Sequence, residues 1–269
     1  MSDVEQRFTF NQVAQLYDAA RPSYPEALFD DCIAAAALRP GEAILEVGSG
    51  TGKATEAFAR RGFPITALEP GAQMIATAQN ALARLHSIRF VETTFEAWDA
   101  EPAVFGLVAA AQSWHWVDPA VSFAKAARVL RPDGVLAVFG NVAVGMPPAL
   151  GDEIHRIYEQ HLPGYSKMDP ESAYQPGGPF AQMFDASGYF KAVVHKVYPW
   201  RWSHTAESYV AFLGTMSDHR LMEAATREAI LAGVADAIAA HGGSFEMDWE
   251  AHLYWARKKN QTDRRGRLG

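Results

Sequence analysis

Short apolar runs alternate with amphipathic stretches along the first half of the chain. Ala43–Val47, Pro64–Leu68, Ser87–Val91, Leu107–Ala111 and Val135–Gly140 read as strands. The segments between them read as helices, one running to about Arg61, one over 71–85 and one over 119–130. Pro40-Gly41 ends a helical segment before the first strand, and Arg131-Pro132-Asp133-Gly134 makes the turn into the fifth. Such alternation predicts an α/β fold with a doubly wound parallel sheet, wrapped by helices on both faces.

The flanks follow a different pattern. Residues 8–38 are helical in pattern, interrupted near Pro22 and Pro25. After residue 140, Met146-Pro147-Pro148 opens a helical stretch to about Leu162, and 163–179 is rich in Pro, Gly and Ser and reads as loop. Phe190–Trp200 alternates as a strand does. Helices follow over 205–214 and 220–241, and Phe245–Arg257 reads as a last strand. The second half therefore adds two strands and helical insertions to the same sheet.

At 269 residues the chain is long enough for a full hydrophobic core. The net charge of −7 argues against nucleic acid as a partner, because such binders present a basic face. The one basic cluster is Lys258, Lys259, Arg264, Arg265 and Arg267, which reads as a solvated terminus. Cys32 is the single cysteine, so an intrachain disulfide is impossible and a reducing, cytoplasmic setting is expected. The first residues, MSDVEQRF, are polar and do not read as a secretory signal. No apolar run approaches the length that spans a bilayer, so no membrane is expected as partner. No metal is expected either: His155 and His161 are six apart on a helix and do not share a face well.

Candidate chemistry begins at the end of the first strand. Ile44-Leu45-Glu46-Val47-Gly48-Ser49-Gly50-Thr51-Gly52-Lys53 places glycine at alternate positions between a strand and a helix. Ligands of open parallel sheets bind beyond the carboxyl ends of the strands. Glycine there permits positive φ and a close backbone approach. The dinucleotide pattern G-x-G-x-x-G would need its third glycine where Lys53 stands, and the Walker pattern is absent. Glu46, two residues before the first glycine, suits a ligand carrying an ammonium group better than a pyrophosphate.

With Glu69-Pro70 closing the second strand, this turn resembles that of the class I S-adenosylmethionine-dependent methyltransferases, over roughly residues 8–140. Within them it is similar to the small-molecule branch that includes trans-aconitate and ubiquinone-type enzymes. The segment Tyr17-Asp18-Ala19-Ala20-Arg21-Pro22-Ser23-Tyr24-Pro25 is similar to that branch's cofactor cover. The resemblance implies a seven-stranded Rossmann-like sheet, mostly parallel with one antiparallel strand. Its parts would be a cover (1–40), a cofactor-binding core (41–141), and remaining strands with substrate-pocket insertions (142–269).

It also implies site residues. Glu46 would face the methionine ammonium, and Gly48, Ser49 and Gly50 would lie against the cofactor. Glu69, followed by Pro70, would accept both ribose hydroxyls. Met74 would pack on adenine. Thr94 stands where the family often has Asp and, with Phe95 and Glu96, would hold the adenine edge. Ala111 and Gln112 would supply backbone contacts. Tyr17, Arg21 and Tyr24 would cap the site, Arg21 pairing with the cofactor carboxylate.

Strand four ends in Gln112-Ser113-Trp114-His115-Trp116, which belongs beside the reacting methyl. Trp114 and Trp116 could shield the sulfonium. His115 is the leading candidate for a base and His219 the second; adjacent Asp218 is not assigned to orient the latter ring. Trp200, Arg201, Trp202, Tyr165, Tyr174, Phe212 and Met216 offer a substrate lining, with Arg201 or Arg220 available for an acidic substrate. The expected activity is in-line methyl transfer from S-adenosyl-L-methionine to a small organic molecule, leaving S-adenosyl-L-homocysteine. The alternatives are a non-catalytic S-adenosylmethionine-binding protein and a nicotinamide-dependent oxidoreductase.

Overall fold

The computed structural model describes residues 14–99, 102–165 and 173–260. Seven strands form one sheet: β1 (Ile44–Val47), β2 (Ile65–Glu69), β3 (Ile88–Glu92), β4 (Phe105–Ala111), β5 (Leu130–Gly145), β6 (Val194–Thr205) and β7 (Ser244–Arg257). Their order is β3-β2-β1-β4-β5-β7-β6. Strands β1 to β5 pair in parallel, and β7 runs antiparallel to both β5 and β6. The expected seven-stranded sheet with one antiparallel strand is thus what the chain adopts. The order reverses at β1 and β4, where an open sheet leaves a crevice at its carboxyl edge.

Alternate residues of the central strands feed opposite cores. Leu45, Val108 and Leu136 point to one side, with Phe123, Phe180 and Phe184. Ile44, Leu107 and Val135 point to the other, with Leu28, Phe29 and Phe58. Helices α2 (Glu26–Ala36) and α3 (Lys53–Arg60) cover that second face. Helix α4 (Ala72–Ala81) follows β2, and α5 (Pro119–Val129) follows β4. Asp118 caps α5 by accepting the Ala120 N–H, with Pro119 at the first helical position.

A third cluster lies over the far ends of β6 and β7. Helices α6 (Pro148–His161), α8 (Ala206–Gly214) and α10 (Ala224–Ala240) bury Ile154, Phe212 and Val234 there against Phe245 and Trp249. A short helix, α9 (Ser217–Leu221), links α8 to α10. The segment expected as a cover, 1–40, includes α1 (Ala14–Ala20), which packs against α4 and α8. Its first part, 1–13, lies outside the described residues. Leu28 and Phe29 of the next helix are fully buried, each contributing about 1.5–3 kcal/mol through burial, which holds that helix on the sheet.

Three expectations change. Helix α7 (Pro179–Ser187) stands at the end of the stretch read as loop. Its Gly-Pro start and glycine stop are helix boundaries: Pro179 takes the first turn, and Gly188 ends the helix at φ +73°. Strand β6 begins at Val194 and runs five residues past Trp200, since it pairs with β7 throughout. Strand β5 starts at Leu130 and absorbs the Arg131–Gly134 turn. The basic tail is not simply solvated either. Lys258 Nζ donates to the Leu130 carbonyl at 2.6 Å, and Lys259 Nζ to that of Gly188 at 3.3 Å. Arg264, Arg265 and Arg267 lie outside the described residues. No helix among the described residues is long and apolar enough to cross a membrane.

Candidate active site

A cleft opens at the carboxyl ends of β1, β2 and β4. Its floor is the glycine turn, and its roof runs from Tyr17 to Tyr24, with Met216, Ser217 and Asp218 at one rim. The turn's three glycines all have positive φ, at +68°, +56° and +90° for Gly48, Gly50 and Gly52, but for different reasons. A Cβ on Gly48 would stand 2.5 Å from the Ser113 Cβ, so this position joins β1 to the end of β4. A Cβ on Gly52 would stand 2.8 Å from Leu82. Around Gly50 there is open space, because this glycine borders the cleft itself. What is admitted close to the backbone therefore sits over Gly50, while the other two let the turn pack.

Glu69 ties this turn to the next one. Its Oε2 accepts the Gly50 N–H and its Oε1 the Gly71 N–H, both at 2.9 Å. Each oxygen keeps a further lone pair for a ligand hydroxyl. Burial holds the Glu69 carboxyl above its ordinary pKa, against the pull of the two N–H groups.

Glu46 is 1% exposed. Its Oε2 accepts the Thr55 hydroxyl at 2.6 Å, and its Oε1 is buried with no hydrogen-bond partner. Burial pushes its pKa up to about 8, and the Glu69 charge adds to the rise while Thr55 opposes it. An orphaned carboxylate oxygen facing a cleft is an acceptor waiting for a donor, and a cation would satisfy it best.

The roof is bolted to the strand ends by amides. Tyr24 donates to Gln112 Oε1 at 3.2 Å, and Gln112 Nε2 donates to the Asn141 carbonyl at 3.3 Å. Asn141 Nδ2 returns to the Ser23 carbonyl at 3.0 Å. Gln112 holds a left-handed backbone, φ +49°, which is strained for a non-glycine residue; its N–H donates to the Phe139 carbonyl at 2.8 Å. Arg21 reaches Thr215, with Nε 2.9 Å from the hydroxyl, and lies over the rings of Tyr17 and Phe212.

Toward β3, Met74 and Phe95 are buried in the wall beside Pro70 and Thr94. Thr94 Oγ1 accepts the Ala97 N–H at 3.2 Å, and Glu96 Oε1 accepts the Asp118 N–H at 3.0 Å. The two side chains thereby set the turn after β3. Ser49 and Ala111 line the cleft between these ends.

His115 and Trp116 reach the cleft from a single helical turn after β4. His115 Nδ1 lies 3.2 Å from the hydroxyl of Tyr174, which is fully buried. Burial pushes the His115 pKa down to about 4, so the ring is neutral at pH 7 and a weak base.

Nine expected site residues do not line the cleft; among them Tyr165, Tyr174 and Phe212 stand behind it, against Asp218, His115 and Arg21, and Trp202 packs beside Trp249. Trp114 is core, edge-on to Phe123 at 5.6 Å and behind Phe95. Trp200 stacks on Trp249 at 5.7 Å within the β6–β7 cluster. Arg201 is exposed and pairs with Asp248 at 2.8 Å. Both belong to β6, an edge strand that lies four positions from β1 in the sheet. His219 is buried behind the rim, with Nε2 2.6 Å from the Tyr158 hydroxyl and Nδ1 3.1 Å from Asp218 Oδ1. Asp218 does orient that ring despite being its neighbour in sequence, and it is Asp218 that reaches the cleft. Arg220 is likewise absent from the cleft wall. Sequence reasoning also missed Thr55, Ser113 and Asn141. Ser113 lies just past the end of β4 and Asn141 just past the last β5 residue paired with β4, so the strand-end rule reaches both although neither carries a motif.

Residues 45–138 match the family described as the methyltransferase domain. An uncharacterized methyltransferase of Mycobacterium tuberculosis is 34% identical over 151 residues, which is 55% of this chain and 59% of that relative. The chain thus spans little more than half the length of this relative. A demethylmenaquinone methyltransferase of Tropheryma whipplei is 32% identical over 189 residues, 64% of this chain and 73% of the relative. A solved structure described as a type II methyltransferase from Anaeromyxobacter dehalogenans superposes with a TM-score of 0.66 at 25% identity, covering 88% of this chain and 97% of the other. With the strand order, the glycine turn and the two strand-end carboxylates, these likenesses place the chain in the class I S-adenosylmethionine-dependent methyltransferase family.

Proposed function

We propose that this protein transfers a methyl group from S-adenosyl-L-methionine to a small organic molecule, releasing S-adenosyl-L-homocysteine. The observation that carries the reading is Glu46 Oε1, a buried acceptor without a donor at the mouth of the glycine turn. The methionine ammonium supplies the missing donor and charge. Glu69 takes the ribose hydroxyls on its remaining lone pairs. Met74, Phe95, Pro70, Thr94 and Glu96 would hold the adenine. The backbones of Gly48, Ser49, Gly50, Ala111 and Gln112 shape the floor, and Tyr17 and Arg21 close over it, with the Arg21 guanidinium charge on the side of the cofactor carboxylate. Residues 1–40 serve as cover, 41–141 as cofactor core and 142–269 as the remaining strands with substrate insertions.

When bound, the cofactor supplies an activated methyl on a sulfonium. This chain's residues then have three tasks: to align an acceptor for in-line attack, to exclude water, and to stabilise charge. The cleft continues past the β4 end to His115, Trp116, Met216 and Asp218, which gives an acceptor a place and favours an enzyme over a binding module. Trp116 and Tyr24 flank that space. A cytoplasmic setting fits the lone buried thiol of Cys32. Calorimetric titration with S-adenosylhomocysteine, with NADH in parallel, tests the reading.

A further inference from the structure

Four carboxyl groups line the cleft, Glu46, Glu69, Glu96 and Asp218, with the two cations Arg21 and Lys53. Burial pushes Glu46 and Glu69 toward the neutral form. Both cations are engaged: Arg21 holds Thr215, and Lys53 Nζ lies 3.4 Å from Asp18 of the cover. Three of the carboxylates have work in the cofactor half, at the turn or in the β3 loop. Asp218 has none there. It stands on the rim with Met216 and Ser217, in the first turn of α9, three residues after the Thr215 that Arg21 grips.

Asp218 is also built as a rigid anion. Its Oδ1 accepts the His219 backbone N–H at 2.8 Å and faces His219 Nδ1 at 3.1 Å. Its Oδ2 accepts the Tyr165 hydroxyl. Tyr158 stacks on Tyr165 at 5.0 Å and reaches His219 Nε2, so the carboxylate is braced from behind on both oxygens. These donors hold its pKa below the ordinary value even though burial works the other way. Asp218 is therefore ionised at neutral pH, and Oδ2 keeps a lone pair for a donor in the cleft.

We infer that Asp218 is the acceptor-recognition residue of this cleft, and that the molecule it selects presents an amine rather than a carboxylate. The inference rests on the methyltransferase reading above and adds the substrate class to it. A carboxylate substrate would meet the Asp218 anion, and neither Arg201 nor Arg220 lines the cleft to offset it. A hydroxyl acceptor would need a base, and His115 is too weak a base for that work. An amine needs none in the methyl-transfer step. It binds through its N–H to Asp218 and, as the ammonium form, gives one proton to solvent. The nitrogen lone pair then forms the N–CH3 bond as the S–CH3 bond breaks, and the bonding pair stays on sulfur. The positive charge passes from sulfur to nitrogen, beside the Asp218 carboxylate, which stabilises it there. A last proton leaves to water.

The test is binding of matched fragments to protein loaded with S-adenosylhomocysteine. The probes are benzylamine, benzyl alcohol and benzoate, with the indolyl and n-hexyl counterparts of each, read by saturation-transfer NMR and titration. Amines should bind best, and Asp218→Asn should weaken them by about tenfold or more while S-adenosylhomocysteine still binds. Tyr165→Phe keeps the charge and should keep the preference for amines, which guards against a variant that merely fails to fold. If S-adenosylhomocysteine itself does not bind, the methyltransferase reading fails. If it binds but alcohols or carboxylates outcompete every amine, if no amine binds, or if Asp218→Asn leaves amine affinity unchanged, this inference is overturned.

Discussion

The Thr55 hydroxyl donates to Glu46 at 2.6 Å and occupies one carboxylate oxygen, leaving the other to face the cleft alone. Nine residues separate the two, one on β1 and one on α3, and the glycine turn between them brings them together. Half of the Glu46 hydrogen-bonding capacity is spent on holding the turn. The other half is left for a ligand.

That arrangement makes the ligand-free protein sensitive to pH. The Glu46 pKa is raised from the ordinary carboxylate range to about 8, so the folded state holds a proton that the unfolded state has lost across that window. The stability contribution is full below the ordinary carboxylate value and is lost as pH rises through about 8. Chemical denaturation of the ligand-free protein from pH 5 to pH 9 should show stability falling with pH. Glu46→Gln, which stays neutral, should flatten the slope over this range. An equal slope in both proteins would contradict the assignment.

Ligand binding should release a proton for the same reason. Near pH 7 the Glu46 carboxyl is largely protonated when the cleft is empty, and an ammonium beside it favours the ionised form. Calorimetry of S-adenosylhomocysteine binding in buffers of different ionisation enthalpy should give a net proton release near pH 7. Glu46→Gln should abolish that release.

The glycines should separate by function. Gly48→Ala puts a Cβ 2.5 Å from Ser113 at φ +68° and should cost about 2–4 kcal/mol of stability, combining left-handed strain with a packing clash. Gly50→Ala meets no protein atom and should cost only about 1 kcal/mol, yet its methyl would enter the space over the turn and weaken S-adenosylhomocysteine binding. Thermal melts and titrations of the two variants check this. Equal losses of stability, or an unchanged S-adenosylhomocysteine affinity in Gly50→Ala, would contradict this separation.

His115 should leave no mark on the pH–rate profile near neutrality. Burial lowers its pKa to about 4, so it is already neutral from pH 5 to 8. A limb near the usual histidine value that disappears in His115→Asn would mean the ring is more open during turnover than this packing allows.

Much of this was legible in the sequence because the relevant signals are local. Strand, glycine turn, helix and strand-end acid follow one another within ILEVGSGTGK and ALEP, and each position is fixed by backbone geometry. The five strands β1 to β5 and their parallel pairing followed from the same alternation; their order in the sheet did not. What was not legible depends on long-range contact. Trp200 and Arg201 look like pocket residues in a list of aromatic and charged side chains, but β6 pairs along its whole length with β7 and takes them to the far edge. Trp114 and His115 are adjacent, yet a single turn sends one into the core and the other into the cleft. Asp218 was passed over because its hydrogen bonds come from Tyr165 and from its own neighbour, a pattern without a motif. The Gly178-Pro179 start of α7 looked like loop because helix boundaries and loops share residue types.

The most direct test of the central claim is the binding of S-adenosylhomocysteine to wild type and to Glu69→Ala, with NADH as control. The geometry predicts micromolar or tighter binding to wild type, no uptake of NADH, and at least about a tenfold loss in Glu69→Ala, where two hydrogen-bond acceptors for the ribose disappear. Binding of NADH in place of S-adenosylhomocysteine, or an affinity indifferent to Glu69, would contradict it.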